Sequence, residues 1–356
     1  MMTDDKPGVA DALSLDVDAA LGALQPCRPK VRARIEQWPL HEPFRISNHV
    51  FETLDVLLVS LECDGLSGRG EAAGVYYLGD TPETMLRQVE EACGWIEKGV
   101  DHALLHERLP QGGARNALDC ALWDVQAKRI GQPVWSMLGM APPHALITTF
   151  TIGADTPAVM ADHAIGYAQA RALKIKLMGD TDDAARIASV RAARPDVWLA
   201  VDANRGMDVR KLEWLQDMLV KADVSLLEQP FPVGQDAALA CMSLPCPVAA
   251  DESVQGLESV DELADRYQLI NIKIDKCGGL TEGLRMAQRA RQLGLDVMVG
   301  NMLGSSLAMA PAWLLGQFCT VVDLDGPIFL KQDCSPAVEY RDGFVSCLPG
   351  LWGNPV

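Results

Sequence analysis

Five short apolar runs in this chain each arrive at a charged side chain: ALKIK at Lys174 and Lys176, WLAVD at Asp202, SLLEQ at Glu228, PVAAD at Asp251 and LINIK at Lys273. The steps from Lys176 to Asp202, Glu228, Asp251 and Lys273 are 26, 26, 23 and 22 residues, near the length of one strand-loop-helix-loop unit. Parallel barrel strands point one way, so groups at their C-terminal ends meet at one mouth. A lone carboxylate there is commonly a solvated residue or a helix cap. Three on consecutive strands supply one side of the oxygen shell that a hard divalent ion such as Mg²⁺ prefers, and ligation is the reading adopted for Asp202, Glu228 and Asp251.

Lysine at the end of a buried strand is unusual, because desolvation disfavours the ammonium and lowers its pKa toward the range of a useful base. Side chains alternate along a strand, so Lys174 and Lys176 share a face, and each cation is expected to ease deprotonation of the other. Lys176 lies one strand before the first carboxylate and Lys273 one strand after the last, which places them on opposite flanks of a metal. The plainer reading of either lysine, a salt bridge to a neighbouring carboxylate, is compatible with that role. A further pair, Asp323 and Asp325 in VVDLDGP, also shares a face and could hold an ammonium group of a substrate.

The elements that must position these groups fall into two patterns. From Val31 to Cys63 the sequence alternates as strands do, with VLLVSLEC the clearest, which predicts a hairpin or meander. A Gly-rich stretch with Tyr76 and Tyr77 reads as a surface loop. A helix is expected from Thr81 and Pro82, and ARNALDCALWDVQAKRIG reads as a helix closed by Gly131. From Ala145 onward eight short strands, TTFTIG to VVDLDGP, alternate with seven helical stretches, which predicts an α/β fold with a parallel eight-stranded barrel.

Bulk properties set outer limits. The 356 residues are 49% hydrophobic and 22% charged, ordinary for a globular chain, and the net charge of −17 argues against nucleic-acid binding. The acidic start does not read as a signal peptide, and no stretch has the roughly 18 apolar residues of a membrane span. Ten scattered cysteines without a CxxC pair suit reduced thiols in the cytoplasm. The six histidines lack HExxH spacing, which leaves a zinc hydrolase little support.

Taken in order, ALKIK, VDANRG, LLEQPF, ADES and NIKIDKCGG resemble motifs of the enolase superfamily, and within it the muconate-lactonising-enzyme subgroup, which carries KxK on barrel strand two and a lone lysine on strand six. ARNALDCALWD resembles that family's capping-domain helix. The similarity runs from about Val31 to the C-terminus, and its specificity lies in five motifs coinciding in order. It implies a (β/α)7β modified TIM barrel with an α+β capping domain: a leader without fold over 1–30, the cap over 31–145, the barrel over 146–328, and a tail over 329–356 returning to the cap. It further implies one Mg²⁺ per subunit on Asp202, Glu228 and Asp251, with Lys176 and Lys273 as the acid/base pair. Lys174 would stand beside the substrate and Asn204 would support the metal ligands from behind. A homo-oligomer is compatible with the family's habit of symmetric assembly. The mandelate-racemase subgroup would place a catalytic histidine near strand seven; VMVGNM with Asn301 stands there instead, which excludes that branch.

Asp323-Leu-Asp325 resembles the DxD of dipeptide epimerases, where it binds a free α-ammonium, and GNMLGSSLAMAPA is similar to their strand-seven region. The implied reaction is epimerisation at the α-carbon of a dipeptide's C-terminal residue, by two-base 1,1-proton transfer through a metal-stabilised enediolate. N-acyl amino acid racemisation, o-succinylbenzoate synthesis, cycloisomerisation and dehydration are alternatives that start from the same enolate. Outside that class, a strand-end lysine could form a Schiff base, although the three carboxylates would then lack a purpose; a non-catalytic scaffold would need a ligand or base to be missing. Ala-Glu epimerases carry an arginine after the PF dipeptide for the glutamate side chain. This chain reads PFRISNHVF, with Asn48 or His49 at the match and Arg45 out of register, which argues against a glutamate-containing substrate.

Overall fold

The computed structural model describes residues 15–46 and 49–355, with backbone alone for 44–46 and 49–51. Asn48 therefore lies outside the described residues, as do the side chains of Arg45 and His49. After helix α1 (Val17–Gly22) come three antiparallel strands, β1 (Lys30–Ile46), β2 (His49–Cys63) and β3 (Leu66–Ala72), then helices α2 (Pro82–Ile96), α3 (His102–Arg108), α4 (Gly113–Ile130) and α5 (Val134–Met137). The expected meander and both expected helices are present. Thr81 accepts from the Thr84 N–H while the Thr84 hydroxyl accepts from Thr81, Pro82 fills the first helical turn, and Gly131 ends α4 at φ 73°.

Helix α4 differs from an ordinary amphipathic surface helix. Every residue from Gly113 to Ala127 is buried, polar ones included, because the cap sheet covers one side of the helix and the barrel the other. Gly68 and Gly70 of β3 make the close approach to the sheet possible: a Cβ on Gly70 would stand 2.0 Å from the Ala117 carbonyl oxygen.

Beyond β4 (Leu146–Ile147), strands and helices alternate: β5 (Thr149–Ile152), α6 (Pro157–Gly166), β6 (Ala172–Lys176), α7 (Asp183–Ala193), β7 (Trp198–Asp202), α8 (Val209–Lys221), β8 (Leu226–Glu228), β9 (Val248–Ala250), α9 (Leu257–Leu263), β10 (Leu269–Ile272), α10 (Ile274–Cys277), α11 (Leu280–Gln292), β11 (Asp296–Val299), α12 (Ser306–Gly316) and β12 (Val321–Val322). Strands β5 to β12 are parallel neighbours in sequence order, as a barrel requires. One connection departs from expectation: only a 3-10 turn, Asp236–Cys241, stands between β8 and β9. The seam between the last and first strands is joined through side chains. Thr149 Oγ1 donates to Asp323, the Thr151 N–H donates to Asp325 at 2.6 Å, and the Leu324 N–H donates to Thr148 Oγ1. Carboxylates and hydroxyls here do the work of a backbone ladder.

The tail forms β13 (Glu339–Arg341), which pairs with β14 (Phe344–Ser346), and β14 in turn pairs with β4; the chain then reaches the cap, where Trp352 donates to the Cys120 carbonyl and the Gly353 N–H to Asp124. The leader, expected to carry no fold, holds α1 from Val17. Leu15 is buried in the barrel-side core, and Asp18 pairs with Arg285 of α11. Residues 1–14 lie outside the described residues. No described helix is long and apolar enough to cross a membrane.

Gly70→Ala is expected to lower the melting temperature, reflecting a loss of about 1–3 kcal/mol from overpacking a backbone contact, whereas Gly94→Ala in α2, with open space around it, leaves it unchanged or raises it. Equal melting curves for the two variants would contradict the packing argument.

Candidate active site

The strand register delivers the charged ends to one level. Lys176 pairs with Asp202 across β6 and β7, Asp202 with Glu228 across β7 and β8, and Asp251 and Lys273 directly follow β9 and β10. Asp202, Glu228 and Asp251 are buried and offer carboxylate oxygens that all lie within 4.8 Å of one another. Lys176 Nζ lies 2.5 Å from Asp202 Oδ2, and Lys273 Nζ lies 2.8 Å from Asp251 Oδ2. The two amines therefore lean on the two outer carboxylates of the trio. Lys174, which shares a face with Lys176 as expected, runs deeper: its Nζ is 2.7 Å from Glu228, 2.8 Å from Asp323 and 3.3 Å from Asp202. It is enclosed by carboxylates and 1% exposed, so it ties the trio to Asp323.

These contacts reverse one expectation. Burial by itself would lower the Lys174 pKa, but Asp323, Glu228 and Asp202 outweigh it and hold the ammonium well above its ordinary range. Lys273 is likewise held up, against burial, chiefly by Asp251. Burial, the cause the sequence does show, acts in the expected direction but is outweighed by these carboxylates. The carboxylates feel the converse. Asp251 is kept far down by Lys273 and Lys276 despite burial, and Asp202 is lowered by Lys176 and Lys174. Glu228 is pushed up to about 7 by burial and then by the charges of Asp202 and Asp251.

That pattern fits a divalent cation. Three acids converge, the middle one is short of positive charge, and its Oε2 approaches Lys174 without the alignment of a hydrogen bond. An all-oxygen donor set of this kind suits Mg²⁺ rather than a softer ion.

Around the trio the structure adds groups that sequence reasoning passed over. Asn271 Nδ2 donates to Glu228 Oε1 at 2.9 Å; it precedes Lys273 by two positions, so strand alternation could have flagged it. Lys276, one helical turn beyond Lys273, donates to Asp251 Oδ1 and to the Asp251 and Asn271 carbonyls. Gln229 accepts from the backbone of Asp251 and Ser253. Asn204 acts through its backbone, not its amide: its N–H donates to Asp202 Oδ1 at 2.9 Å while its own Oδ1 is buried without a partner. Asp323 and Asp325, both buried, are on the cavity wall, as are Tyr76, Tyr77 and Phe329. Both oxygens of Asp323 are engaged, by Thr149 and by Lys174, whereas Asp325 receives the Thr151 N–H and is pushed up to about 6 by burial and by Asp323.

Residues 159–351 match the family described as enolase C-terminal domain-like, and residues 29–139 match the mandelate racemase/muconate lactonizing enzyme N-terminal domain. The chain belongs to the enolase superfamily. Among other members of the superfamily, it is 38% identical over 310 residues to an L-Ala-D/L-Glu epimerase of Escherichia coli, across 86% of this chain and 96% of the relative. It is 42% identical over 247 residues to an N-acetyl-D-glutamate racemase of a Pseudoalteromonas species, across 69% and 78% of the two chains. Its fold superposes with a TM-score of 0.85, at 31% identity and over 92% and 99% of the two chains, on a Methylococcus capsulatus dipeptide epimerase crystallised with Mg and L-Arg-D-Lys.

For this superfamily member, calorimetry is expected to register Mg²⁺ binding that Asp202→Asn abolishes. Asn271→Leu, which strips Glu228 of its amide partner, is expected to weaken it by about 10–100-fold. Undiminished affinity in both variants would remove the trio as the binding site.

Proposed function

We propose that this chain is a Mg²⁺-dependent epimerase of dipeptides that inverts the α-carbon of the C-terminal residue by two-base 1,1-proton transfer. The observation that carries the reading is the placement of Lys176 and Lys273 on the two outer members of one carboxylate trio. Asp202, Glu228 and Asp251 would hold the ion. When bound, the cation would draw the three carboxylates together and offset part of the charge that grows on the substrate carboxylate as the α-proton leaves. The remaining chemistry belongs to side chains. One lysine takes the proton from its face of the α-carbon while the other, as ammonium, returns one to the opposite face; exchanging the two roles runs the reaction backward.

Lys174, enclosed by Glu228, Asp323 and Asp202, keeps the acids in place more than it meets substrate. Of the DxD pair, Asp325 is the group assigned to the dipeptide's α-ammonium, because Asp323 is committed to Lys174 and Thr149. A carboxylate aimed at a cationic amino end disfavours N-acyl substrates, whose amide brings no charge, and this separates the reading from N-acyl amino acid racemisation. The ten free thiols suit a cytoplasmic setting.

Lys176→Ala and Lys273→Ala are each expected to abolish interconversion yet retain α-proton exchange with D₂O for one epimer, a different one in each variant. Normal turnover by both would end the two-base assignment. Asp325→Asn is expected to raise KM for dipeptides by about thirtyfold or more, the usual cost of losing one partner of a buried charge pair, with N-acyl amino acids little affected. Equal losses on both substrate types would favour the racemase alternative.

A further inference from the structure

The loop that carries Lys273 has few backbone hydrogen bonds of its own, four of them within 273–279. Lys273 is the N-cap of α10, a single turn, and one turn of helix is unstable without outside support. The loop then reverses through Gly278 (φ 85°) and Gly279 (φ 126°) before α11 begins. Two kinds of backbone group are left over: carbonyls at the end of α10 and N–H groups at the start of α11.

Helix α4 of the cap supplies a partner of the right sign to each. The Arg115 guanidinium, buried, donates through Nη2 to the Cys277 carbonyl at 2.6 Å and through Nε to the Gly278 carbonyl at 3.2 Å. One turn further on, Asp119 accepts from the Thr281 N–H at 3.0 Å and from its hydroxyl at 2.7 Å. A cation thus faces the C-terminus of one helix and an anion the N-terminus of the next, which is the favourable pairing with both dipoles. Contact is close enough that a Cβ at position 278 or 279 would lie 2.4 Å from Arg115 Nε or 2.5 Å from Asp119 Oδ2. Lys176 has no such brace: among the described residues, none of the side-chain hydrogen bonds of α4 reaches β6 or the loop that follows it.

We propose that α4 is a positioning element for one face of the reaction only, with Arg115 fixing the Lys273 loop and leaving Lys176 untouched. Arg115 meets neither substrate nor metal and acts through the Cys277 and Gly278 carbonyls, so its loss moves one proton-transfer group relative to the other. The inference rests on the two-base reading above.

The test uses the full-length, Mg²⁺-loaded enzyme with an epimerisable dipeptide in D₂O, comparing initial rates of deuterium uptake into each epimer. Lys273→Ala serves as the reference that identifies the epimer presented to Lys273. Arg115→Gln is expected to slow exchange of that same epimer by about tenfold or more relative to the other, the scale on which a small misplacement of a reacting group is felt. Arg115→Lys, which keeps the charge but loses the two-carbonyl fork, is expected to fall between Arg115→Gln and the wild type. The ratio of the two rates is independent of how much protein is folded, so a partly unfolded variant still reports. If Lys273→Ala is selective but the Arg115 variants lose both faces equally, or neither, the positioning role is refuted while the two-base reading stands. If Lys273→Ala is itself unselective, the two-base reading falls and the inference with it.

Discussion

Three carboxylates buried within 4.8 Å of one another repel strongly, and the rest of the molecule is arranged to make that repulsion tolerable. Lys174 lies among them, Lys176 and Lys273 lean on the outer two, and Lys276, Asn271 and the Asn204 N–H hold one further oxygen each, of Asp251, Glu228 and Asp202. Even so, burial and the charges of Asp202 and Asp251 push the Glu228 carboxyl up to about 7. A hard divalent cation completes such a set, and the strain it relieves is what makes the trio a binding site instead of a buried liability.

The barrel makes the crowding inevitable by register. Because Lys176, Asp202 and Glu228 are paired across adjacent parallel strands, no side chain can move along its strand without breaking a ladder. The same economy appears at the seam, where Asp323 and Asp325 stitch the last strand to the first and also wall the cavity. A residue that closes the barrel cannot drift from the cavity, so the fold and the cavity wall share their fixed points.

Much of this was legible in the sequence because strand-end groups carry their own coordinates. Apolar runs fix the strands, period-two alternation puts Lys174 with Lys176, and even spacing puts Asp202, Glu228, Asp251 and Lys273 at one mouth. What escaped depended on partners distant in the chain. Nothing in ARNALDCALWD indicates that Arg115 and Asp119 face a barrel loop some 160 residues on. The direction of the Lys174 shift is hidden for the same reason: the sequence shows that Lys174 is buried but not that three carboxylates surround it. Asn204 reads as a polar side chain, whereas it is its backbone N–H that donates to Asp202. The 3-10 turn at Asp236–Cys241 occupies a place where strand-helix alternation leads one to expect a full helix.

The account reduces to one spatial claim: an ion on three acids, with a substrate carbon held between two opposed amines. Crystals grown with Mn²⁺ and a dipeptide, measured for anomalous scattering, address it directly. The account predicts a single anomalous peak bounded by Asp202, Glu228 and Asp251, with the α-carbon of the C-terminal residue between the Lys176 and Lys273 Nζ atoms. A peak elsewhere, or both amines on one side of that carbon, would contradict it.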